Sequence, residues 1–380
     1  CSAGSNLYAR LTYTQKDHRN TISMKRIITA VCLLVLSHIA TAQDKVSIVV
    51  KPARALVEKG ETRQFLNFDF LVSNNSKDTL TLTKVLISVF DKQDKLVLSK
   101  FLDNNGTAPS ITLIPNREFA GPSSKLIFNP FADFNLTTSV YRLKYEWVFT
   151  KPNQELVLVN ADVKPEVFEQ KANYFFPLKG RVLVYDGHDL YAHHRRFDYE
   201  FEFIKGLGIS ANFMRYAYDF ILLDKNNDQY NGDGKKDADY FGFGKPVYAV
   251  GEGKVIYASN VHKDDKQFDV PGIAKNPLEL YGNCIAILHA NNTVSIYGHL
   301  KQNSLKIKQG DHVSAGQEIA AVGVSGSSFL PHLHFEMRTS IAASAEGVPS
   351  YFSNIYLLEG NRRAKLRSGL AETGNIIETK

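Results

Sequence analysis

The chain has 380 residues, 44% of them hydrophobic and 22% charged, a balance that sets aside disordered and fibrous classes and allows two or three globular domains. Its formal net charge is +6, but residues 1–42 hold Arg10, Lys16, Arg19, Lys25 and Arg26 against Asp17 alone, so most of the excess precedes the folded region. No basic stripe with interleaved aromatics follows, and nucleic-acid binding is excluded on that ground.

In chain order, residues 1–23 are polar and are read as an upstream segment outside the mature protein. Met24 then opens a stretch with the anatomy of a secretory signal. Lys25 and Arg26 give the charged end, Ile27 to Leu36 the apolar run, and Ala40-Thr41-Ala42 the small residues ahead of cleavage before Gln43. The apolar run is shorter than the roughly 20 residues a membrane span needs, so no stable transmembrane segment is expected after its removal. Export places the protein in the cell envelope or outside the cell. Of three cysteines, only Cys284 lies beyond the leader, so the mature domains must stand on core packing. Inside the apolar run CIAIL, Cys284 reads as a small buried side chain.

Residues 43–164 form short alternating runs such as TLTLTKVLISVF, VYRLKYEWVFT and ELVLVNADV, punctuated by NNSKD, DKQD, DNNGTAP and KPNQ. Strands at about ten-residue spacing predict an immunoglobulin-like β-sandwich. Trp147 alternates with Tyr145 and Phe149, as core residues of one strand would. Residues 165–180 read as a connector with helix-prone VFEQKAN. Residues 181–358 are again mainly β, with RVLVY, PVYAV, KVIYAS, CIAILH, TVSIYGHL, QEIAAVG and HLHFEMRT as strands. Residues 359–380 read as a loose polar tail.

All nine histidines beyond the leader fall between His188 and His334. In HLHFEMR, strand alternation turns Leu333, Phe335 and Met337 to a core and His332, His334, Glu336 and Arg338 to the opposite face. His299 closes the strand TVSIYGHL. Asp219 interrupts the apolar run YAYDFILL, where a buried carboxylate needs a partner, either an ion pair with Arg215 or a metal. His193 and His194 follow RVLVY and the turn Asp186-Gly187-His188-Asp189. Zinc accepts imidazole nitrogen and carboxylate oxygen, and a catalytic site keeps three protein ligands and one open position. Histidines beside it can move protons or stabilise an oxyanion.

The order YAYD, GKPVYAV (244–250), Gly253-Lys254-Val255, YGHL and HLHFE resembles lysostaphin/LytM-type metallopeptidases. KQGDHVSAGQEIAAVG, Gly347-Val348-Pro349 and Phe352-Ser353-Asn354 extend the similarity over roughly 181–358. The resemblance implies an antiparallel β fold with a duplicated hybrid motif, one zinc ion per chain, and cleavage of peptide cross-links in peptidoglycan. It also implies Asp219 and His334 as zinc ligands, with His299 and His332 as catalytic histidines. Members of the family place a histidine four residues before the aspartate, where this chain has Arg215; the first ligand is then expected from His194 or its neighbour His193.

The polar insert 224–239 has spaced oxygen side chains but lacks the glycine and terminal glutamate of an EF-hand, so it reads as a solvated rim loop with calcium as the lesser alternative. A second reading keeps the fold without the reaction, as a groove that binds wall peptides or activates a partner cell-wall hydrolase. A lipoyl-type or sugar-phosphotransfer carrier is disfavoured by the leader and by the lack of a lone hairpin lysine.

Overall fold

The computed structural model describes residues 45–379, and the expected signal segment lies outside them. The first third of this span is built from three sheets. Val46–Lys51, Asp69–Asn74 and Ser123–Phe128 form one antiparallel sheet. A second runs Leu156–Val163, Arg142–Thr150, Leu80–Phe90 and Leu96–Asp103, with Glu118–Phe119 alongside. A third joins Glu166–Val167, Leu56–Lys59, Arg63–Leu66 and Asp133–Asn135.

The alternation that predicts these strands is what buries them. Leu143, Tyr145, Trp147 and Phe149 point inward from a single strand, while the residues between them stay partly exposed. Trp147 and Tyr145 meet Phe70 edge-on at centroid distances of 4.9 and 4.7 Å, the arrangement that aromatic quadrupoles favour.

From Gly180 onward one large antiparallel sheet dominates. Its strand order is His312–Val313, Gly253–Ala258, Ile285–Leu288, Val294–Gly298, Leu333–Arg338, Tyr218–Leu223, Gly180–Asp186, Ile376–Thr379, Tyr356–Glu359 and Arg362–Lys365. The protein is therefore mainly β, as expected. Leu333, Phe335 and Met337 enter one core with Val182, Val184 and Phe220. A separate core gathers Tyr199, Ile209, Phe213 and Met214 against Leu278, Tyr281, Cys284 and Ile296. The stretch 197–214 is thus packed rather than draped over the surface.

Two sequence expectations are corrected here. The run VFEQKAN is not helical: Glu166–Val167 adds a parallel strand to Leu56–Lys59, and Gln170 exchanges two hydrogen bonds with the backbone of Tyr351. The tail 359–380 is not loose either. Its polar surface hides Leu366, Leu370, Ala371 and Ile377, all buried, and Ile376–Thr379 pairs with Gly180–Asp186. That pairing covers what would otherwise be an exposed edge beside the strand that leads into the histidine cluster. Ile377→Ala should therefore cost about 2–5 kcal/mol of stability by denaturant titration; a loose tail would tolerate it within about 0.5 kcal/mol.

Candidate metal centre

Three neighbouring strands line up the central residues by register alone. Asp219 on Tyr218–Leu223 stands opposite His334 on Leu333–Arg338, and His334 stands opposite Gly298 at the end of Val294–Gly298. His299 follows in the left-handed region at φ 57, a conformation costly for most side chains and often held at functional sites. Its backbone is fixed there by bonds from its N–H to the Tyr281 carbonyl and from the Gly323 N–H to its own carbonyl.

Asp219 is buried, and it does not pair with Arg215. Three imidazoles surround it instead. Its Oδ1 lies 3.2 Å from His334 Nδ1 and 3.4 Å from His332 Nε2, and its Oδ2 lies 3.9 Å from His194 Nε2. The His194 and His334 rings are 4.7 Å apart, and those of His299 and His332 are 4.8 Å apart. Burial would raise the Asp219 pKa, but the histidines outweigh it and hold the carboxyl well below the usual range.

Two donors on a tetrahedral zinc with bonds of about 2.0–2.1 Å lie roughly 3.3 Å apart. The separations from Asp219 to His334 Nδ1 and His194 Nε2, 3.2 and 3.9 Å, lie on either side of that edge, and imidazole and carboxylate are donor types that zinc accepts. His193, His194, Asp219 and Asp186 also bring ligand atoms within 4.8 Å of one another. In that second set His193 is more than half exposed, whereas the His194 side chain is buried.

Asp186 is the residue that sequence reasoning missed. The register slips between Val184 and Asp186, and this bulge sets Asp186 opposite Asp219 while leaving Tyr185 exposed. The carboxylate accepts the backbone N–H groups of His193 and His194 at 3.0 and 3.1 Å. Its Oδ2 also lies 2.9 and 2.8 Å from their Nδ1 atoms, although the angle at His194 falls short of a well-formed hydrogen bond. Facing the Nδ1 side of His194, it turns Nε2 towards Asp219. Burial lowers the His194 pKa; at His193 it does the same, but Asp186 outweighs it and the net shift is upward.

Glu336 plays the matching part behind His334, with Oε1 3.6 Å from His334 Nε2, longer than a hydrogen bond. Burial opposes the charged imidazole, yet Asp219 and Glu336 together lift His334 to about 9. Glu336 is itself held at about 2, against its burial, chiefly by Arg338.

His299 and His332 share a different arrangement. Each Nδ1–H donates to a backbone carbonyl, that of Ser325 at 2.8 Å and that of Leu330 at 2.7 Å. Each Nε2 is thereby left as the basic nitrogen. Burial, followed by the charges of His332 and His334, pushes the His299 pKa well down and keeps the ring neutral. Phe329 stacks beside His332 at 5.2 Å and meets Tyr185 at 5.5 Å, so two half-exposed aromatics wall the mouth of the cluster.

The remaining histidines make structural contacts or lie on the surface. His188 pairs with Glu58, His289 with the Glu252 carbonyl and Ser295, and His262 with Glu279, while His312 sits on an exposed edge strand. In the loop 224–239, Asp224 and Asp239 accept backbone N–H groups of the loop itself. Cys284 is fully buried, as expected, and burial raises its thiol pKa.

This mainly β protein thus gathers imidazoles and carboxylates around Asp219 in one cluster that could hold a metal ion. The chain belongs to peptidase family M23, whose sequence model matches residues 236–346. That span contains His299, His332 and His334 but neither Asp219 nor His194. Lipoprotein NlpD of Yersinia enterocolitica is 34% identical over 95 residues, 25% of this chain and 78% of that protein. Cell division protein DipM of Caulobacter vibrioides is 33% identical over 95 residues, 25% of this chain and 13% of DipM. Murein hydrolase activator NlpD of Escherichia coli is 33% identical over 95 residues, 25% of this chain and 20% of that protein. The chain thus spans only a small part of the length of the latter two. Among solved structures, the catalytic domain of lysostaphin from Staphylococcus simulans aligns at 22% identity and a TM-score of 0.25, covering 44% of this chain and 88% of that one.

Replacing Asp186 with Ala should weaken zinc binding about 10–100-fold, the usual cost of losing a carboxylate behind a metal-bound imidazole. Competition with a chromogenic chelator reads this directly, and unchanged affinity would remove Asp186 from the site.

Proposed function

We propose that the protein is an exported, zinc-dependent endopeptidase that hydrolyses peptide bonds in peptidoglycan stems or cross-links. The observation that carries this reading is Asp219, buried between His194 and His334, with the Nδ1 atoms of neighbouring His299 and His332 held by backbone acceptors. Export rests on the leader at 24–42, and the wall substrate rests on membership of the family together with the printed names of the relatives.

His194, Asp219 and His334 are the proposed ligands, with His193 the alternative first ligand. A bound zinc ion would polarise the scissile carbonyl and acidify the attacking water. His299 and His332, each with Nδ1 held by a backbone carbonyl, would accept the proton of that water at Nε2, return it to the departing amine and hold the developing oxyanion. Tyr185 and Phe329 would flank the peptide as it enters.

A second reading has two supports. Arg215 occupies the family's usual first-ligand position, and the Escherichia coli relative is called a murein hydrolase activator. On this reading the groove binds wall peptides or a partner hydrolase without cutting.

His334→Ala and His194→Ala should each lose zinc, whereas His193→Ala should retain it; metal analysis of purified protein measures this. His299→Ala and His332→Ala should keep zinc yet slow release of fragments from peptidoglycan by about 10²–10⁴-fold. A parent that binds zinc and releases no fragments would replace the enzyme with the binding or activating protein.

A further inference from the structure

The first ligand is carried neither by the large sheet nor by the residue four positions before Asp219. It sits on the three-residue turn His194–Arg196, within a long excursion between two strands. Three contacts from outside that turn hold it. Asp186 accepts its leading N–H groups, and Asn212 Nδ2 donates to the carbonyls of His194 and Arg195 at 3.1 and 3.2 Å. The third contact comes from the amino-terminal sheets. Arg195 is fully buried and donates Nε to Asn67 Oδ1 at 2.9 Å, Nη1 to Asp69 Oδ1 at 2.6 Å and Nη2 to the Phe68 carbonyl at 2.8 Å.

Arg215 reaches the other oxygen of the same carboxylate, Asp69 Oδ2, at 2.6 Å. Its Nε and Nη2 have no hydrogen-bond partner, and Nε lies 3.6 Å from Glu346. The two guanidinium groups are therefore unequal. Arg195 is satisfied on all three nitrogens by the amino-terminal sheets, in the planar fork geometry that makes arginine a rigid anchor. Arg215 adds charge and a single bond.

We propose that Arg195, seated on Asn67, Phe68 and Asp69, is a positioning residue for the metal centre: the amino-terminal sheets hold the turn that presents His194 to the metal, so that part of the chain belongs to the zinc site. The proposal rests on the reading of His194, Asp219 and His334 as ligands. Loss of the anchor frees a ligand whose place is otherwise set by a short turn, and metal affinity falls with the ligand's freedom even though no ligand is removed.

Two single substitutions on the full chain separate positioning from mere docking. Arg195→Met leaves Asp69 paired with Arg215, and Arg215→Met leaves it paired with Arg195, so neither strands a lone buried charge. Chelator competition should give zinc binding about 10–100-fold weaker in Arg195→Met and within about threefold of the parent in Arg215→Met. In the metal-free proteins, amide exchange at 193–197 should quicken only in Arg195→Met. Emission of the single Trp147, buried in the amino-terminal core, reports that this part stays folded. Should Arg195→Met not fold, Asn67→Ala takes its place. It removes the Nε acceptor, the bond to the His188 carbonyl and one donor to the buried Glu58 carboxylate while keeping Arg195 and Asp69, and a clear loss of zinc affinity is again expected. Parental affinity in the folded Arg195 or Asn67 variant overturns the proposal. So does equal loss in Arg195→Met and Arg215→Met, which would make the effect one of general docking. A parent that binds no zinc at all overturns the ligand reading together with this one.

Discussion

Asp69 carries two buried guanidinium groups on one fully buried carboxylate, so both arginines depend on that one residue for a counter-charge at its two oxygens. Loss of Asp69, rather than of either arginine alone, is the change that would leave buried charge uncompensated, at a cost of about 3–5 kcal/mol. Burial works against both arginines. At Arg215, Asp69 and Glu346 outweigh it and raise the pKa; at Arg195, burial and the neighbouring Arg215 prevail and lower it. Both stay charged, since an arginine begins far above neutrality. The carboxylate thus commits the amino-terminal sheets to one seat on the rest of the chain. Glu58 bonded to His188, and Asn67 bonded to the His188 carbonyl, extend the same seat towards the turn that bears His194.

Across the large sheet a second constraint acts, this time through register. Asp219, His334 and Gly298 form one row only because three antiparallel strands pair as they do. A slip by a single residue would send Asp219 and His334 to the core side and bring Phe220 or Phe335 forward, at the cost of burying charge and exposing aromatics. At the bulge at Tyr185 regular pairing gives way, which brings Asp186 into the row while releasing an aromatic ring to the rim.

Much of this was legible in the chain itself. Alternation in HLHFEMR sorted Leu333, Phe335 and Met337 from His334, Glu336 and Arg338 because a strand leaves no choice of face. Asp219 stood out because an acid inside an apolar strand requires partners. What stayed hidden depended on distant pairing. Arg215 could as well have paired with Asp219, four residues away, and only the packed structure turns it to Asp69. Asp186 looked like an ordinary turn residue, since a bulge has no local signature without glycine. The tail was misread because Leu366, Leu370, Ala371 and Ile377 are spread among polar residues, and a strand of four residues is too short for its period to show.

The metal centre also has a charge balance that follows from its parts. Asp186, Asp219 and Glu336 are all held ionised, and Arg338 bonds Glu336 alone among them. The other two can be balanced only by protonated imidazoles or by a bound cation. His193 and His334 are drawn towards the charged form by the carboxylates beside them, whereas His299 and His194 are driven towards the neutral form by burial. Each neutral ring then has a lone pair to spend, and at His194 it is the one facing Asp219. A divalent cation between His194, Asp219 and His334 would satisfy the carboxylate and the lone pairs together, leaving Asp186 and Glu336 to face the ring nitrogens that do not bind it. The backing carboxylates are therefore part of the same electrostatic problem as the proposed ligands, and the fold draws them from a bulge and from the strand of His334 itself.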